Sequence, residues 1–224
     1  MDRTPIDRRA EPPPEPFPPG WLARADDSDD RAFYAPPRFT THIDDRAIRA
    51  VGRLYEELGL ADGEVLDLMS SWVSHFTRTP RRLTGLGMNR AELAANPALH
   101  AHVVHDLNAD PRLPFPDAAF DAVVCCVSID YLTRPAAVLG DVCRSLRPGG
   151  RLVVTWSNRC FPTKAVRAWL IADDEERIGI VSAYAAAAGL VDASHRTLIA
   201  PGGAGDPLWT VIARRGDRRG PGGS

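Results

Sequence analysis

A carboxylate and two hydroxyl groups follow a short apolar segment in the first half of the chain. The segment Glu64–Leu68 has the pattern of a buried parallel strand. Asp67 lies near its carboxyl end, and Ser70 and Ser71 stand in the loop that follows. Ligands of open α/β sheets bind beyond the carboxyl ends of strands, where a carboxylate accepts hydrogen bonds from amines and hydroxyls. Asp67, Ser70 and Ser71 are therefore candidate binding residues, unless Asp67 only caps or orients the loop.

A second group of polar side chains follows the predicted strand Arg151–Trp156. Asn158, Arg159, Cys160 and Lys164 bring an amide, a guanidinium, a thiol and an amine into one loop. A planar guanidinium beside an amide suits a carboxylate or phosphate, so we expect this loop to recognise a polar, anionic group. Cys160 would be a nucleophile if Arg159 or Lys164 favoured its thiolate. The alternatives are an inert thiol and a loop tied internally by Asn158 and Arg159.

The histidines and cysteines do not complete a metal site in the sequence. His100 and His102 share a strand face, but no further cysteine or histidine ligands accompany them, so no metal is predicted. Cys125 and Cys126 point to opposite faces of a strand, and none of the four cysteines has C-x-x-C spacing. Buried, reduced thiols in a reducing compartment explain this set.

The composition is that of an ordinary globular protein. The 224 residues include 44% hydrophobic and 25% charged residues and carry a net charge of −2. This charge gives no general attraction to nucleic acid or to an anionic membrane. We find neither an apolar run of the ~20 residues that span a bilayer nor a signal-peptide segment, so the expected location is the cytoplasm.

The hydrophobic pattern alternates between helices and strands. It predicts strands over 64–68, 81–86, 101–105, 120–128, 151–156, 194–200 and 208–214. It predicts helices from 41–45 to 58 and over 72–78, 89–95, 133–146, 164–170 and 173–188. This order indicates an α/β protein with helices on both faces of a mostly parallel sheet.

The chain divides into three parts by composition. Residues 1–38 are rich in proline, arginine and aspartate and are predicted to be extended or disordered at first. The aromatic residues in this extension could form a lid over a site or simply dock on the domain surface. Residues 39–214 form the predicted domain, and residues 215–224 form a basic, glycine-rich and loose tail.

Five motifs occur in an order that resembles a known family. They are Val65–Leu68, Leu83–Leu86, Asp106–Phe115, Phe120–Val124 and Leu146–Gly150. In this order and spacing the chain resembles the class I S-adenosylmethionine-dependent methyltransferases, particularly their small-molecule, type-11-like branch, from about Asp44 to Arg214. The resemblance implies a three-layer, doubly wound, Rossmann-like sheet of seven strands with an antiparallel last strand, and S-adenosylmethionine as cofactor.

The resemblance also assigns roles to particular residues. Asp106 would bind the adenine amine and Leu107 would offer its backbone N–H to the adenine ring, although an Asp after a strand also forms turns. Cys126 and Ser128 would border the transferred methyl group, and Asp67 would lie near the methionine amino group. Tyr131 follows the same strand and is a candidate catalytic residue with Asn158, Arg159 and Cys160.

The chain departs from the family pattern in the cofactor loop. The family has Gly-x-Gly-x-Gly after the first strand, where Met69, Ser71 and Val73 stand here. The acid that ends the second strand and holds the ribose is replaced by Gly87, with Asn89 two residues later. S-adenosylmethionine is therefore expected to bind weakly, with partial compensation by Ser70, Ser71 and Asn89.

Three functions follow from these observations. The first is methyl transfer to a small-molecule acceptor, in which positioning supplies much of the rate. The second is a methyltransferase fold kept as a binding or partner module, and the third is a different reaction at Asn158, Arg159 and Cys160. Asp106 and the motif of the fourth strand favour the first.

Overall fold

A single seven-stranded sheet forms the centre of the computed structural model, which describes residues 12–217. The strands are β1 Glu64–Leu68, β2 Arg82–Gly87, β3 Ala101–Val104, β4 Phe120–Cys126, β5 Leu146–Trp156, β6 Leu190–Ile199 and β7 Leu208–Arg215. Their order is β3-β2-β1-β4-β5-β7-β6. The pairs among β1 to β5 are parallel, and β7 runs antiparallel to both β5 and β6. The predicted mostly parallel sheet with an antiparallel last strand is confirmed.

Helices cover both faces of this sheet. They are α1 Asp30–Tyr34, α2 Asp45–Glu57, α3 Arg90–Ala95, α4 Pro135–Ser145, α5 Arg167–Ile171 and α6 Asp174–Ala187. Residues of β1 alternate between the two layers, because successive side chains of a strand point to opposite faces. Val65 packs in the cluster that contains α2, whereas Leu66 and Leu68 pack in the cluster that contains α4 and α6. The three-layer arrangement predicted from the sequence is therefore present.

The predicted helix over 72–78 is wrong. The segment between β1 and β2 is a loop without helix, although short 3₁₀ turns occur elsewhere at Leu60–Asp62 and Ile129–Tyr131. Its groups bond to other elements instead of to one another: Ser70 N–H donates to Leu86 O at 2.8 Å. The ring of Phe76 packs on Tyr55 of α2 at a centroid distance of 4.5 Å. These tertiary contacts outweigh the weak helix propensity of so short a segment.

Several element boundaries also differ from the prediction. β5 begins at Leu146 rather than at residue 151, because Leu146 pairs with Phe120 across a register shift in β4. β6 begins at Leu190 rather than at residue 194, since it continues to pair with β7 through an irregularity near Asp192. α5 begins at Arg167 rather than at residue 164.

The N-terminal segment is packed on the domain from residue 12 onward. Phe17 packs against the core, Arg24 forms an isolated bridge with Val166, and the short helix α1 follows. Residues 12–38 are thus docked on the domain, the second alternative of the sequence analysis, and are not disordered, while residues 1–11 lie outside the described part. In the predicted loose tail, Arg215 ends β7. Residues 218–224 lie outside the described part.

Lys164, the only lysine of the sequence, anchors this segment. Its side chain is fully buried, and its ammonium lies 3.1 Å from Asp30 Oδ1 and 3.2 Å from Asp26 Oδ2. It also donates to Ser28 O at 2.9 Å. Asp30 is shared with Arg24, whose Nη1 lies 2.8 Å from Asp30 Oδ2. A buried charge is tolerated when it is paired and hydrogen-bonded, as here.

None of the helices within residues 12–217 has the length and apolar character needed to cross a membrane. In the same range, no cluster of three histidine, cysteine, aspartate or glutamate side chains has the geometry of a metal site.

We predict that Lys164→Met lowers the free energy of unfolding by about 3 kcal/mol, because it leaves Asp30 buried with one cation fewer. Urea unfolding followed by circular dichroism measures the change. Arg196→Met is the matched control, since Arg196 forms an exposed ion pair with Glu57 at 2.9 Å, which is worth about 0.5 kcal/mol. Equal losses in the two variants would contradict the anchoring role.

Candidate functional site

A cavity of about 360 Å³ opens at the carboxyl ends of the parallel strands. Four loops form one side of it: Met69–Ser71 after β1, Leu86–Asn89 at the end of β2, His105–Asn108 after β3 and Val127–Ser128 after β4. Arg159, Cys160 and Phe161 enter from the loop after β5. The volume falls within the range typical of small-molecule sites. A second cavity of about 60 Å³ shares part of its lining, including Met69, Ser70, Ser71, Val127 and Ser128.

Met69, the first residue of the loop after β1, has a backbone conformation that is typical of glycine. Met69 has a φ of 57°, a left-handed conformation that glycine adopts without strain and other residues rarely adopt. Met69, Ser70 and Ser71 line the larger cavity, whereas Val73 lines only the smaller one. Side chains therefore occupy space at the place where the family pattern has bare backbone.

Asp67 lies beneath this loop and lines the smaller cavity. Ser70 and Ser74 both donate hydroxyl hydrogen bonds to its Oδ2, at 2.7 and 2.5 Å. Burial raises the pKa of Asp67 to about 6, and the two serine hydrogen bonds oppose this shift. The structure thus shows the loop-orienting role for Asp67, and the carboxylate also reaches the small cavity.

The end of β2 has no room for an acidic side chain. A Cβ atom on Gly87 would collide with Ser70 O, because Ser70 is hydrogen-bonded to the neighbouring Leu86. Asn89 lines the cavity, but its Nδ2 donates to Tyr34 O at 2.9 Å and its Oδ1 accepts from Ala91 N–H at 2.9 Å. Packing against Ser70 therefore excludes any side chain at position 87 in this conformation.

Glu92 of α3 supplies a carboxylate on this side of the cavity, which the sequence analysis missed. Its Oε2 accepts from Ser71 Oγ at 2.6 Å, and its Oε1 accepts from Arg38 N–H at 2.7 Å. Both the loop after β1 and the N-terminal segment contact this carboxylate, which is buried.

Asp106 and Leu107, in the loop after β3, line the larger cavity. Asp106 Oδ1 accepts from Asn108 N–H at 3.0 Å and Ala109 N–H at 3.1 Å, as a turn-forming aspartate does. Within the described residues, neither Asp106 Oδ2 nor the Leu107 N–H has a hydrogen-bond partner. An acceptor beside a donor is the pair that the amine and a ring nitrogen of adenine require.

The N-terminal segment forms the facing wall of the cavity. Asp30, Tyr34 and Arg38 line it, followed by Thr40 to His42. The segment is joined to the loop after β3, since Asn108 Nδ2 donates to Asp30 Oδ2 at 2.9 Å. The sequence analysis noted the aromatic residues of this segment but missed Arg38 and His42, which stand in no motif.

The candidate catalytic residues are only partly assembled at the cavity. Tyr131, Arg159 and Cys160 line it, whereas Asn158 is exposed and lines neither cavity. Cys126 lines only the smaller cavity, and burial raises the pKa of its thiol to about 12. Tyr131 Oη accepts a hydrogen bond from Phe161 N–H at 2.9 Å. Burial also raises the pKa of Tyr131, so both groups stay protonated at neutral pH.

The loop after β5 does not activate Cys160. Burial and the nearby charge of Asp130 raise the pKa of the Cys160 thiol, and the charge of Arg177 opposes the shift. Lys164 is bonded to Asp26 and Asp30, so its ammonium is already neutralised. Arg159 keeps most of its side chain exposed, and its Nη1 lies 3.6 Å from Asp206 Oδ1. The guanidinium is therefore held loosely at the mouth of the cavity.

Comparison with known proteins agrees with this geometry. Residues 57–154 match the family described as "Methyltransferase domain". A Mycolicibacterium smegmatis protein described as a probable S-adenosylmethionine-dependent methyltransferase is 33% identical over 113 residues, which are 50% of this chain and 41% of that protein. The ubiquinone/menaquinone biosynthesis C-methyltransferase UbiE of Roseobacter denitrificans is 35% identical over 102 residues, 46% of this chain and 35% of that enzyme. The chain thus spans less than half the length of these relatives.

A solved structure shows the same fold. A Haloferax volcanii methyltransferase in complex with the Trm112 methyltransferase activator superposes with a TM-score of 0.56 at 16% identity, covering 77% of this chain and 91% of that chain. The family match over residues 57–154, these relatives and the shared fold support the resemblance to S-adenosylmethionine-dependent methyltransferases that the motifs predict, and S-adenosylmethionine is the cofactor of that class.

We predict that restoring an acid with Gly87→Asp destabilises the protein by about 1–3 kcal/mol, because the new side chain overpacks the contact with Ser70. Thermal or urea unfolding measures this loss. Gly179→Ala is the control, since no atom lies within 4 Å of a Cβ built there. A stable Gly87→Asp variant would show that the loop after β1 moves aside easily.

We predict a pH-dependent effect of Asp67→Asn on stability. Since burial raises the pKa of Asp67 in the folded state to about 6 from 3.8, the wild type gains stability relative to the variant as the pH falls from about 6 to about 4. The gain is of the order of 1–3 kcal/mol. Urea unfolding at several pH values checks it, with the exposed Asp62→Asn as control. A difference between wild type and Asp67→Asn that is independent of pH would contradict the raised pKa.

Proposed function

We propose that this protein transfers the methyl group of S-adenosylmethionine to a small-molecule acceptor and binds the cofactor weakly. The observation that carries the proposal is the unused pair of Asp106 Oδ2 and Leu107 N–H at the cavity. These groups fit the amine and ring nitrogen of adenine, and the position after β3 is the one that the family motif assigns to them. The bound cofactor would supply an electrophilic methyl group on a sulfonium, and the chain would hold and align the acceptor.

The weak binding follows from the loop after β1 and the end of β2. Met69 adds a side chain where backbone would approach the cofactor, and Gly87 provides no carboxylate for the ribose hydroxyls. The loop has no helix whose N-terminal N–H groups could face a ligand. Ser70 and Ser71 compensate little for these lost cofactor contacts, because the Ser70 hydroxyl already donates to Asp67 and the Ser71 hydroxyl already donates to Glu92. A lost charge-assisted hydrogen bond costs about 1.5–3 kcal/mol, or one to two decades of affinity.

A small acceptor with an anionic group suits the remaining part of the cavity. The N-terminal segment contributes to the lining of the cavity, and the volume of about 360 Å³ suits a small molecule. Arg159 stands at its mouth with one distant carboxylate partner, Asp206. A guanidinium with free donors pairs with carboxylates, phosphates and other oxyanions. This supports an acceptor that carries negative charge.

The alternative is a methyltransferase fold that no longer transfers methyl groups. The loss of the helix after β1, together with the side chain of Met69, favours it. The two functions differ in one measurable property, since only the first requires S-adenosylmethionine or its product to bind at the Asp106 position.

We predict that S-adenosylhomocysteine binds to the wild type and that Asp106→Asn weakens binding about 10- to 100-fold. Asparagine keeps the Oδ1 acceptor of the turn but replaces the free Oδ2 by an amide that donates. Isothermal titration calorimetry measures both dissociation constants, and Asp110→Asn serves as a control in the same loop. No binding by the wild type favours the alternative function, and equal binding by Asp106→Asn would contradict the adenine assignment.

A further inference from the structure

His42 is a histidine of the cavity wall whose imidazole is free to react. It lines both cavities together with Ser128, which follows β4 and which the family resemblance places beside the transferred methyl group. Within residues 12–217 neither ring nitrogen of His42 has a hydrogen-bond partner. Its ring packs edge-on against Phe161, with 5.4 Å between the ring centroids. Burial lowers the pKa of His42. The positive charges of Arg38 and Arg159 lower it further, whereas the negative charge of Glu92 opposes the shift, so the imidazole is uncharged at neutral pH.

The other titratable side chains that line the larger cavity are already engaged or protonated. His105 Nε2 is hydrogen-bonded to Asp110 O at 2.8 Å. Asp30 and Glu92 accept hydrogen bonds from other groups of the protein. Asp106 Oδ1 accepts from the turn, and its free Oδ2 is the atom assigned above to the adenine amine. Burial raises the pKa values of Tyr34, Tyr131 and Cys160, so these groups hold their protons. Of the two histidines that line the larger cavity, His42 is therefore the one with no hydrogen-bond partner on either ring nitrogen among the described residues.

The surroundings of His42 favour a flat ring that bears a developing negative charge. Tyr131 and Phe161 form an aromatic wall, with 5.8 Å between their ring centroids. The Arg38 guanidinium lies 5.5 Å from the Phe161 ring, and its Nη2 donates to Phe33 O at 2.9 Å. Arg159 also lines the cavity. Aromatic faces hold flat rings, and guanidinium groups stabilise oxyanions.

We propose that the acceptor is a phenol-type compound, a hydroxyl group on an aromatic ring, and that His42 is the general base that takes the proton of this hydroxyl. The proposal rests on the methyl transfer proposed above and names the substrate class and a catalytic residue for it. Arg38 and Arg159 would stabilise the phenolate oxygen as its charge develops.

The proposed step is balanced in atoms and charge. The hydroxyl proton moves to the unprotonated nitrogen of His42, and the phenolic oxygen forms a bond to the methyl carbon. The carbon–sulfur bond breaks and its electron pair stays on sulfur, which changes the sulfonium to a neutral thioether. The products are an aryl methyl ether, S-adenosylhomocysteine and a protonated His42 that returns its proton to water.

The test compares phenols of different acidity as acceptors. Methyl transfer from S-adenosylmethionine is measured for phenol, 4-chlorophenol and 4-nitrophenol, of which the last is largely ionised near neutral pH. General-base catalysis contributes about 10²–10⁴-fold. We therefore expect His42→Gln to lower kcat/KM for phenol about 100-fold and for 4-nitrophenol less than about 10-fold. His195→Gln removes an exposed histidine of β6 and is the matched control.

A spectroscopic measurement gives a readout that is independent of turnover. With S-adenosylhomocysteine present, 4-nitrophenol is titrated with protein below the pKa of the free phenol, and the visible absorbance of the phenolate is recorded. Transfer of the proton to His42 raises this absorbance in the wild type and in His195→Gln but not in His42→Gln. Binding of S-adenosylhomocysteine to each variant shows that it is folded.

The outcomes separate this inference from the proposed function. If S-adenosylhomocysteine binds but no phenol is bound or methylated, the acceptor class is wrong while methyl transfer stands. If His42→Gln lowers activity equally for all phenols, His42 positions the acceptor and is not the base. If S-adenosylhomocysteine does not bind the wild type, the proposed function itself fails.

Discussion

The wall of the cavity that faces the strands depends on one buried ammonium group. Lys164 has no access to solvent, and an unpaired charge in that place would cost several kcal/mol. Carboxylates of the N-terminal segment neutralise it, and Asp30 among them also accepts a hydrogen bond from Asn108 in the loop after β3. A single charge cluster thus joins three parts of the chain that are far apart in sequence. Arg38 and His42 reach the cavity because the segment that carries them is held there.

The opposite wall depends on the close approach of the loop after β1 to the end of β2. The hydrogen bond from Ser70 N–H to Leu86 O brings the loop so near that only glycine fits at position 87. A side chain at position 87 and this loop conformation exclude each other sterically. Met69 in its left-handed conformation preserves the turn while the following segment runs without a helix.

The two walls of the cavity carry different kinds of functional group. On the side of β3, Asp106 and Leu107 keep an acceptor and a donor free for a ligand. On the side of the N-terminal segment, Arg38, His42 and Arg159 bring cationic and basic groups against aromatic rings. The candidate nucleophile Cys160 lies between them but keeps its proton, since burial disfavours the thiolate. The arrangement suits the alignment and deprotonation of an acceptor better than covalent catalysis by the protein.

The sequence by itself determined the layered α/β architecture, the sheet with its antiparallel last strand, and the position of Asp106 after β3. These features follow from local hydrophobic periodicity and from motifs whose spacing is set by strand and helix lengths. The helix expected at 72–78, the burial of Glu92 and Lys164 and the placement of His42 were decided only by the tertiary structure. Each depends on contacts between segments distant in sequence, whose free energy exceeds the local preference of the residues involved. The chain of charges from Lys164 through Asp30 leaves no periodic pattern in the sequence, because ion pairs require proximity in space and not a fixed spacing along the chain.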